Sequence, residues 1–315
     1  MRTARILRAR DRTSAGHCAN MAHEVHLLSI FGAGPQGGNP APIVADASGM
    51  SDAEMQAVAC TYGHESGFVL PASAGSDCDF AFRFWVPNHE MEMCGHATVG
   101  AVWLLNRLGQ LPGNRVSVST RSGRVDARIT DAGNSDVSVE ITQPKGRVDA
   151  LPRNGQTEAE ILSVLRITSN ELAPLPIQNA STSRVKTLIP LKSVSVLDEL
   201  RPDFGRIETL CERIGSTGLY PYAPSDRDNQ VFDARQFPKS SGYPEDAATG
   251  IAAAALVFGL LENGLVAANE QLVRVRQGRA MGRPSEILVR FRIDESGVVQ
   301  GCWIGGPVRY ASVTA

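Results

Sequence analysis

The segment Ala247–Leu261 contains six alanines and no charged residue. A helix over such a stretch has no polar face to offer water, so other elements have to enclose it, and a curved sheet is the element suited to do so. A second stretch of the same kind, Ala97–Leu108, carries Val99, Ala101, Val102, Leu104, Leu105 and Leu108. Its first charge is Arg107, and Gly109 is placed to cap it. Gly95 and Gly250, which start the two helices, lie about half a chain apart in 315 residues. The pattern predicts an α+β protein of two similar domains, each a curved, mostly antiparallel sheet wrapped around a central apolar helix. The two helix starts then face a shared cleft.

The rest of the chain is consistent with that plan. Its length suits two domains of about 150 residues, large enough to fold without a metal or disulfide staple. A hydrophobic content of 43% against 20% charged residues excludes a disordered chain. Lysine and arginine number 31 against 33 acids, a net charge of -2, so there is no basic surplus for nucleic acid. Cysteines 18, 60, 78, 94, 211 and 302 form no CxxC pair, which argues against a zinc centre or a disulfide framework and fits reduced thiols in the cytoplasm. The longest fully apolar run, 251–258, is far short of the ~18 residues a membrane span needs. Residues 1–23 read as an N-terminal extension. Arg2, Arg5, Arg8, Arg10 and Arg12 stand against Asp11 alone, with no apolar stretch of the secretory type, and Met21 precedes the first strand pattern.

Along the body, Val25–Ile30 reads as a strand and Pro35–Pro42 as a rigid loop around Gly37, Gly38 and Asn39. Ser51 and Glu54 have capping-box spacing, which predicts a helix over 52–61. Glu65–Leu70 reads as a strand that Pro71 ends, and Phe80, Phe82 and Phe84 alternate as strand residues sharing one face. Strands follow at 116–119, 124–129 and 137–141. The domain boundary is expected near 142–151, where Pro144, Gly146 and Pro152 flank a polar stretch. Gly32-Ala33-Gly34-Pro35-Gln36-Gly37 matches GxGxxG, but dinucleotide binding needs a helix to open at those glycines, and Pro40 and Pro42 would interrupt it. No cofactor is expected from it; the glycines allow a tight turn, with Asn39 as a polar ligand contact.

Three places carry chemistry. Cys94-Gly95-His96-Ala97-Thr98 opens the first apolar helix, and Asp246-Ala247-Ala248-Thr249-Gly250-Ile251 opens the second. Unpaired N–H groups and the helix dipole favour an anion at each start, so a small carboxylic acid suits two converging starts. Tight packing alone also accounts for the two glycines. Glu65, between His64 and the apolar Phe68-Val69, is a shielded carboxylate able to move protons, or else a solvated strand end. Cys94, just before a helix, is expected to be acidified and to serve as base or nucleophile, unless Phe84, Met91, Met93 and Val99 simply bury it. His89 and His96 lack the helical spacing of a metalloprotease motif, and no metal is expected. Arg283, in the glycine-rich segment 277–285, is placed to pair with a ligand carboxylate or to sit in an exposed turn.

Taken together, these segments resemble the PhzF-like phenazine-biosynthesis family, relatives of diaminopimelate epimerase. The resemblance runs through Phe31-Gly32, Gly38-Asn39-Pro40-Ala41-Pro42, His64-Glu65-Ser66-Gly67-Phe68-Val69, Phe84-Trp85-Val86-Pro87 and Cys94-Gly95-His96-Ala97-Thr98. It continues through Glu245-Asp246-Ala247-Ala248-Thr249-Gly250 and Gly278 with Met281-Gly282-Arg283-Pro284-Ser285. It implies a diaminopimelate-epimerase-like fold with a first domain over 24–142, a second over 143–302, and a strand within 303–315 returning to the first. It also implies a cytoplasmic homodimer that needs no cofactor or metal. On this resemblance Glu65 transfers the proton, Gly95, His96, Gly250 and Ile251 at the helix starts hold the substrate, and Asp246 orients it. Beside these, His96 is a candidate catalytic residue fixing an amino or hydroxyl group, and Asn39, Cys94, Thr249 and Arg283 are candidate substrate contacts. Ile251 stands where the family commonly has serine, and Ala247 where a proline is common. The second half offers no cysteine to match Cys94, which disfavours a two-cysteine racemase. The expected function is an isomerase moving a proton within a small unsaturated amino or hydroxy acid, with Glu65 as base and then acid. Epimerisation of such an acid by Glu65 with Cys94, and binding of a small acid without catalysis, are the alternatives.

Overall fold

The computed structural model describes residues 23–133, 136–151 and 155–311, so the arginine-rich extension, apart from its last residue, lies outside the described residues. The two apolar stretches are helices, Gly95–Arg107 and Gly250–Glu262. Each is surrounded by strands. In the second, Ala252, Ala253, Ala254, Ala255, Leu256 and Val257 are all fully buried. The helix approaches the sheet so closely that a Cβ on Gly259 would lie 2.3 Å from Leu188 Cδ1. Small residues there are a packing requirement, not a matter of helix propensity.

The two halves repeat one topology. In the first, the strands Val25–Ile30, Asn39–Val44, Ser66–Pro71, Phe80–Val86, Arg115–Thr120, Gly123–Gly133 and Asp136–Pro144 pair in succession as antiparallel, parallel, antiparallel, parallel, antiparallel and antiparallel. In the second, Gln178–Ser181, Val185–Pro190, Gly218–Asp226, Val231–Ala234, Val273–Gln277, Ser285–Ile293 and Val299–Gly306 follow the same succession. Each central helix falls in the crossover before the fifth strand of its half. The halves are stitched together by Gly301–Gly306, which pairs with Val139–Pro144, and by Val308–Tyr310, which pairs with Leu28–Ile30. This is the mixed α+β, two-domain architecture.

Local chemistry explains the elements around the first helix. Ser51 Oγ accepts from the Glu54 N–H while Glu54 Oε2 accepts from the Ser51 N–H at 2.8 Å, and the capped helix runs Asp52–Tyr62. Gly63, at φ +66°, terminates it, and the chain turns through His64 and Glu65 into the next strand. Phe82 and Phe84 face the first central helix, whereas Trp85 packs with Met55 and Val58 of the capped helix on the opposite side. One expectation is corrected here. Asn39-Pro40-Ala41-Pro42 is not loop but strand, paired with Leu27–Ile30. The two prolines, two apart, withhold their missing donors from one edge of the strand only, and the parallel neighbour pairs beyond them at Ile43 and Val44. The segment 32–38 is the tight loop, and no helix follows it.

Ala254→Asp places a charge at a fully buried position. It should cost more than ~3 kcal/mol and leave little folded protein in a thermal melt. Ser51→Ala removes one cap hydrogen bond, for an expected loss of about 1 kcal/mol in urea unfolding. A wild-type melt for Ala254→Asp would contradict the enclosed-helix packing.

Candidate active site

The two helix starts meet. A Cβ on Gly95 would lie 3.6 Å from Ile304 Cδ1, and one on Gly250 would lie 3.0 Å from the same atom. Ile304 belongs to the strand that stitches the halves together, so the fold itself holds both tips against one side chain. Neither helix has a side-chain cap, and the N–H groups of Gly95, His96, Gly250 and Ile251 take no acceptor among the described residues. Four aligned donors and two positive dipole ends therefore open into one cavity of about 280 Å³, lined by all four residues. That volume sits just below the ~300–1,000 Å³ of ordinary ligand pockets and suits a small molecule.

Glu65 reaches this cavity from the turn before Ser66–Pro71. Its Oε2 accepts a hydrogen bond from Cys94 Sγ at 3.0 Å and lies 3.7 Å from His96 Nδ1, while Cys94 Sγ is 3.5 Å from the same ring nitrogen. Strand pairing of Ser66 with Trp85, and the short hairpin through His89–Met91, bring the carboxylate and the thiol together from positions far apart in sequence. The expectation that the helix start acidifies Cys94 is overturned. The thiol is 3% exposed, and burial, followed by the nearby Glu65 charge, pushes its pKa well up. Cys94 is thus a protonated donor. The ligand atoms of Glu65, Cys94 and His96 lie within 4.8 Å of one another, a spacing that a metal ion could bridge once the thiol gave up its proton.

Asp246 enters from the second half. Its Oδ1 accepts from Asn39 Nδ2 at 2.9 Å and its Oδ2 from the Thr249 hydroxyl, while Gln277 Nε2 donates to its backbone carbonyl at 2.6 Å. Its enclosed position raises the Asp246 pKa, against the two side-chain hydrogen bonds, and the Glu65 charge raises it further. The preceding residue, Glu245, forms a buried bidentate pair with Arg235 at 2.9 and 2.7 Å, and Arg235 also donates to the carbonyls of Leu197 and Leu200. That pair anchors the segment leading to Asp246.

Glu65, Cys94, Gly95, His96, Asp246, Thr249, Gly250 and Ile251 all line the one cavity. Asn39 and Arg283 do not. Asn39 stands behind Asp246, with its amide spent on Asp246 and on the Ala248 carbonyl at 2.8 Å. Arg283 donates to the Gly38 carbonyl at 2.9 Å and braces the loop 32–38. Sequence reasoning missed Lys186 and Gln236, which also line the cavity. The available signal was a lysine interrupting the apolar strand pattern Val185–Pro190.

Alkylation separates a buried protonated thiol from a reactive thiolate. With iodoacetamide at neutral pH, peptide mapping should find the exposed Cys60 modified and Cys94 at least ~100-fold slower. Rapid labelling of Cys94 would contradict the donor assignment.

Comparison with known proteins identifies the family and the fold. Residues 28–304 match the family PhzC-PhzF, described as phenazine biosynthesis-like protein. The uncharacterized isomerase YddE of Escherichia coli K12 is 31% identical over 280 residues, covering 88% of this chain and 92% of the relative. Trans-2,3-dihydro-3-hydroxyanthranilate isomerase of Pseudomonas fluorescens is 28% identical over 290 residues, covering 89% and 98%. The crystal structure of a Bacillus anthracis phenazine biosynthesis protein of the PhzF family superposes with a TM-score of 0.81 at 26% identity, covering 91% of this chain and 96% of that one. A hydroxyproline epimerase of Agrobacterium vitis shares the fold, with a TM-score of 0.56 at 13% identity and coverage of 91% and 90%. The chain belongs to the phenazine biosynthesis-like family of PhzF-type isomerases.

Proposed function

We propose that this isomerase epimerises or racemises a small amino or hydroxy carboxylic acid, with Glu65 and Cys94 handling the proton together. The observation that carries the reading is the 3.0 Å hydrogen bond from Cys94 Sγ to Glu65 Oε2, set where the two uncapped helix starts converge. A carboxylate acting alone, the first expectation from sequence, is less well supported. The thiol beside it is protonated, within transfer distance and in the same cavity.

In this proposal the substrate carboxylate rests on the N–H groups of Gly95, His96, Gly250 and Ile251. These donors also stabilise the negative charge that spreads onto the carboxylate when the neighbouring carbon loses its proton. The carbon lies between Glu65 and Cys94 in place of their mutual hydrogen bond. Glu65 takes the proton and becomes a carboxylic acid, and the Cys94 thiol delivers a proton to the other face and becomes a thiolate. When product leaves, the Glu65 proton passes to the Cys94 sulfur, and both groups are restored. Asp246, held by Asn39 and Thr249, orients the amino or hydroxyl substituent, and His96 completes the polar wall. A cytoplasmic homodimer with the domain limits 24–142 and 143–302 belongs to the same proposal.

A second reading, migration of a double bond by a proton moved between two carbons, is favoured by the likeness to trans-2,3-dihydro-3-hydroxyanthranilate isomerase. It places both proton transfers on one face and needs only Glu65. The two readings separate in D2O by proton NMR and chiral chromatography on a panel of amino, hydroxy and unsaturated acids. Glu65→Gln should lose at least ~100-fold in deuterium exchange next to the carboxylate. Cys94→Ala should retain exchange through Glu65 and lose at least ~100-fold in inversion. Wild-type exchange in Glu65→Gln would exclude its role, and full turnover in Cys94→Ala with a shifted double bond would favour the second reading.

A further inference from the structure

The wall of the cavity supplied by the second half carries a lysine whose ammonium has no acceptor among the described residues. Lys186 lies on the strand Val185–Pro190 and is 5% exposed. Side chains alternate along a strand, so Lys186 shares its face with Leu188, the residue packed against Gly259 of the second central helix. It therefore points to the inner side of the sheet, and it lines the cavity. Among the described residues its ammonium makes no hydrogen bond and no ion pair. Gln236 is on the same wall and 1% exposed, and both its amide oxygen and its amide nitrogen are buried without a partner among the described residues. Arg184, exposed at the rim, adds a second cation with no ion pair among the described residues.

Buried ammonium and amide groups without partners are costly, and folded proteins satisfy nearly all of them. Two such side chains facing one cavity indicate that a ligand supplies the missing partner. An ammonium calls for an anion, and the Gln236 amide, once a side-chain rotation opens it to the cavity, can donate to one oxygen of a carboxylate whose other oxygen meets Lys186. Burial lowers the Lys186 pKa to about 8, opposed by the charge of Asp246 and reinforced by that of Arg184, so the group is mainly charged at neutral pH and strengthened by an arriving anion.

We propose that Lys186 and Gln236 bind a second acidic group of the substrate, which makes the substrate a compact dicarboxylic amino or hydroxy acid. One carboxylate sits on the helix starts and the distal carboxylate on Lys186. The inference rests on the reading of the helix starts as the seat of a small carboxylic acid. It goes beyond that reading by naming the distal group and the residues that select for it.

Calorimetry on the full chain tests it with succinate, glutarate and adipate, each against the straight-chain monoacid of the same carbon number. At least one diacid should bind at least about tenfold tighter than its monoacid. Lys186→Met should reduce that diacid to the affinity of the monoacid and leave the monoacid unchanged. Glu65→Gln should keep the preference, since it alters proton transfer and not the distal contact. Because Lys186→Met removes an unpaired buried charge, it should melt at or above the wild-type temperature, and a purely structural lysine would lower it. Equal binding of diacids and monoacids by the wild type, or a preference that survives Lys186→Met, would overturn the assignment. A diacid preference without deuterium exchange in any acid would reject the catalytic reading and keep the Lys186 site. Exchange without a diacid preference would do the reverse.

Discussion

Two helices that carry no polar face have to be hidden, and hiding both in one chain governs the rest of the molecule. Each is wrapped by its own sheet, and the two sheets share the strand Val299–Gly306. That strand brings Ile304 against both helix starts, so the enclosure of the helices and the convergence of their tips are one structural fact. The apolar residues that exclude water from the helix bodies end at Gly95 and Gly250. Beyond them the backbone donors are left open, and a cavity forms between the halves. In a low-dielectric setting such preoriented donors act on a developing negative charge without reorganising.

The repeated topology makes the differences between the halves informative. Glu65 stands immediately before the third strand of the first half, and Thr217 immediately before the third strand of the second. Cys94 precedes the first central helix and Thr249 the second. The first half contributes Glu65, Cys94 and His96 to the cavity. The second half contributes hydrogen-bonding and charged side chains: Asp246, Gln236 and Lys186.

Much of this was legible in the sequence because the decisive signals are local. Ala247–Leu261 announces an enclosed helix by composition alone, Ser51 and Glu54 announce a helix start, and the phenylalanines at 80, 82 and 84 announce a strand face. The string Cys94-Gly95-His96-Ala97-Thr98 and the segment around Asp246 marked the two tips. What was not legible depends on pairing between distant segments. Pro40 and Pro42 look like loop residues until the antiparallel partner Leu27–Ile30 shows that only one edge of their strand lacks donors. The helix start suggested an acidified Cys94, but burial, and after it the Glu65 charge that strand pairing brings to 3.0 Å, reverses the sign. Lys186 belongs to no motif, and its burial comes from the parallel pairing of Val185–Pro190 with Gly218–Asp226 and from the helix packed across them.

The central claim is that the two tips act as a single seat for a carboxylate next to Glu65. A crystal structure of the full chain with a bound small dicarboxylate, glutarate for instance, tests it most directly. The account predicts one carboxylate within about 3 Å of backbone N–H groups from both helix starts, with the adjacent carbon facing Glu65 and Cys94. A carboxylate held at only one tip, or bound away from both with Glu65 turned elsewhere, would contradict it.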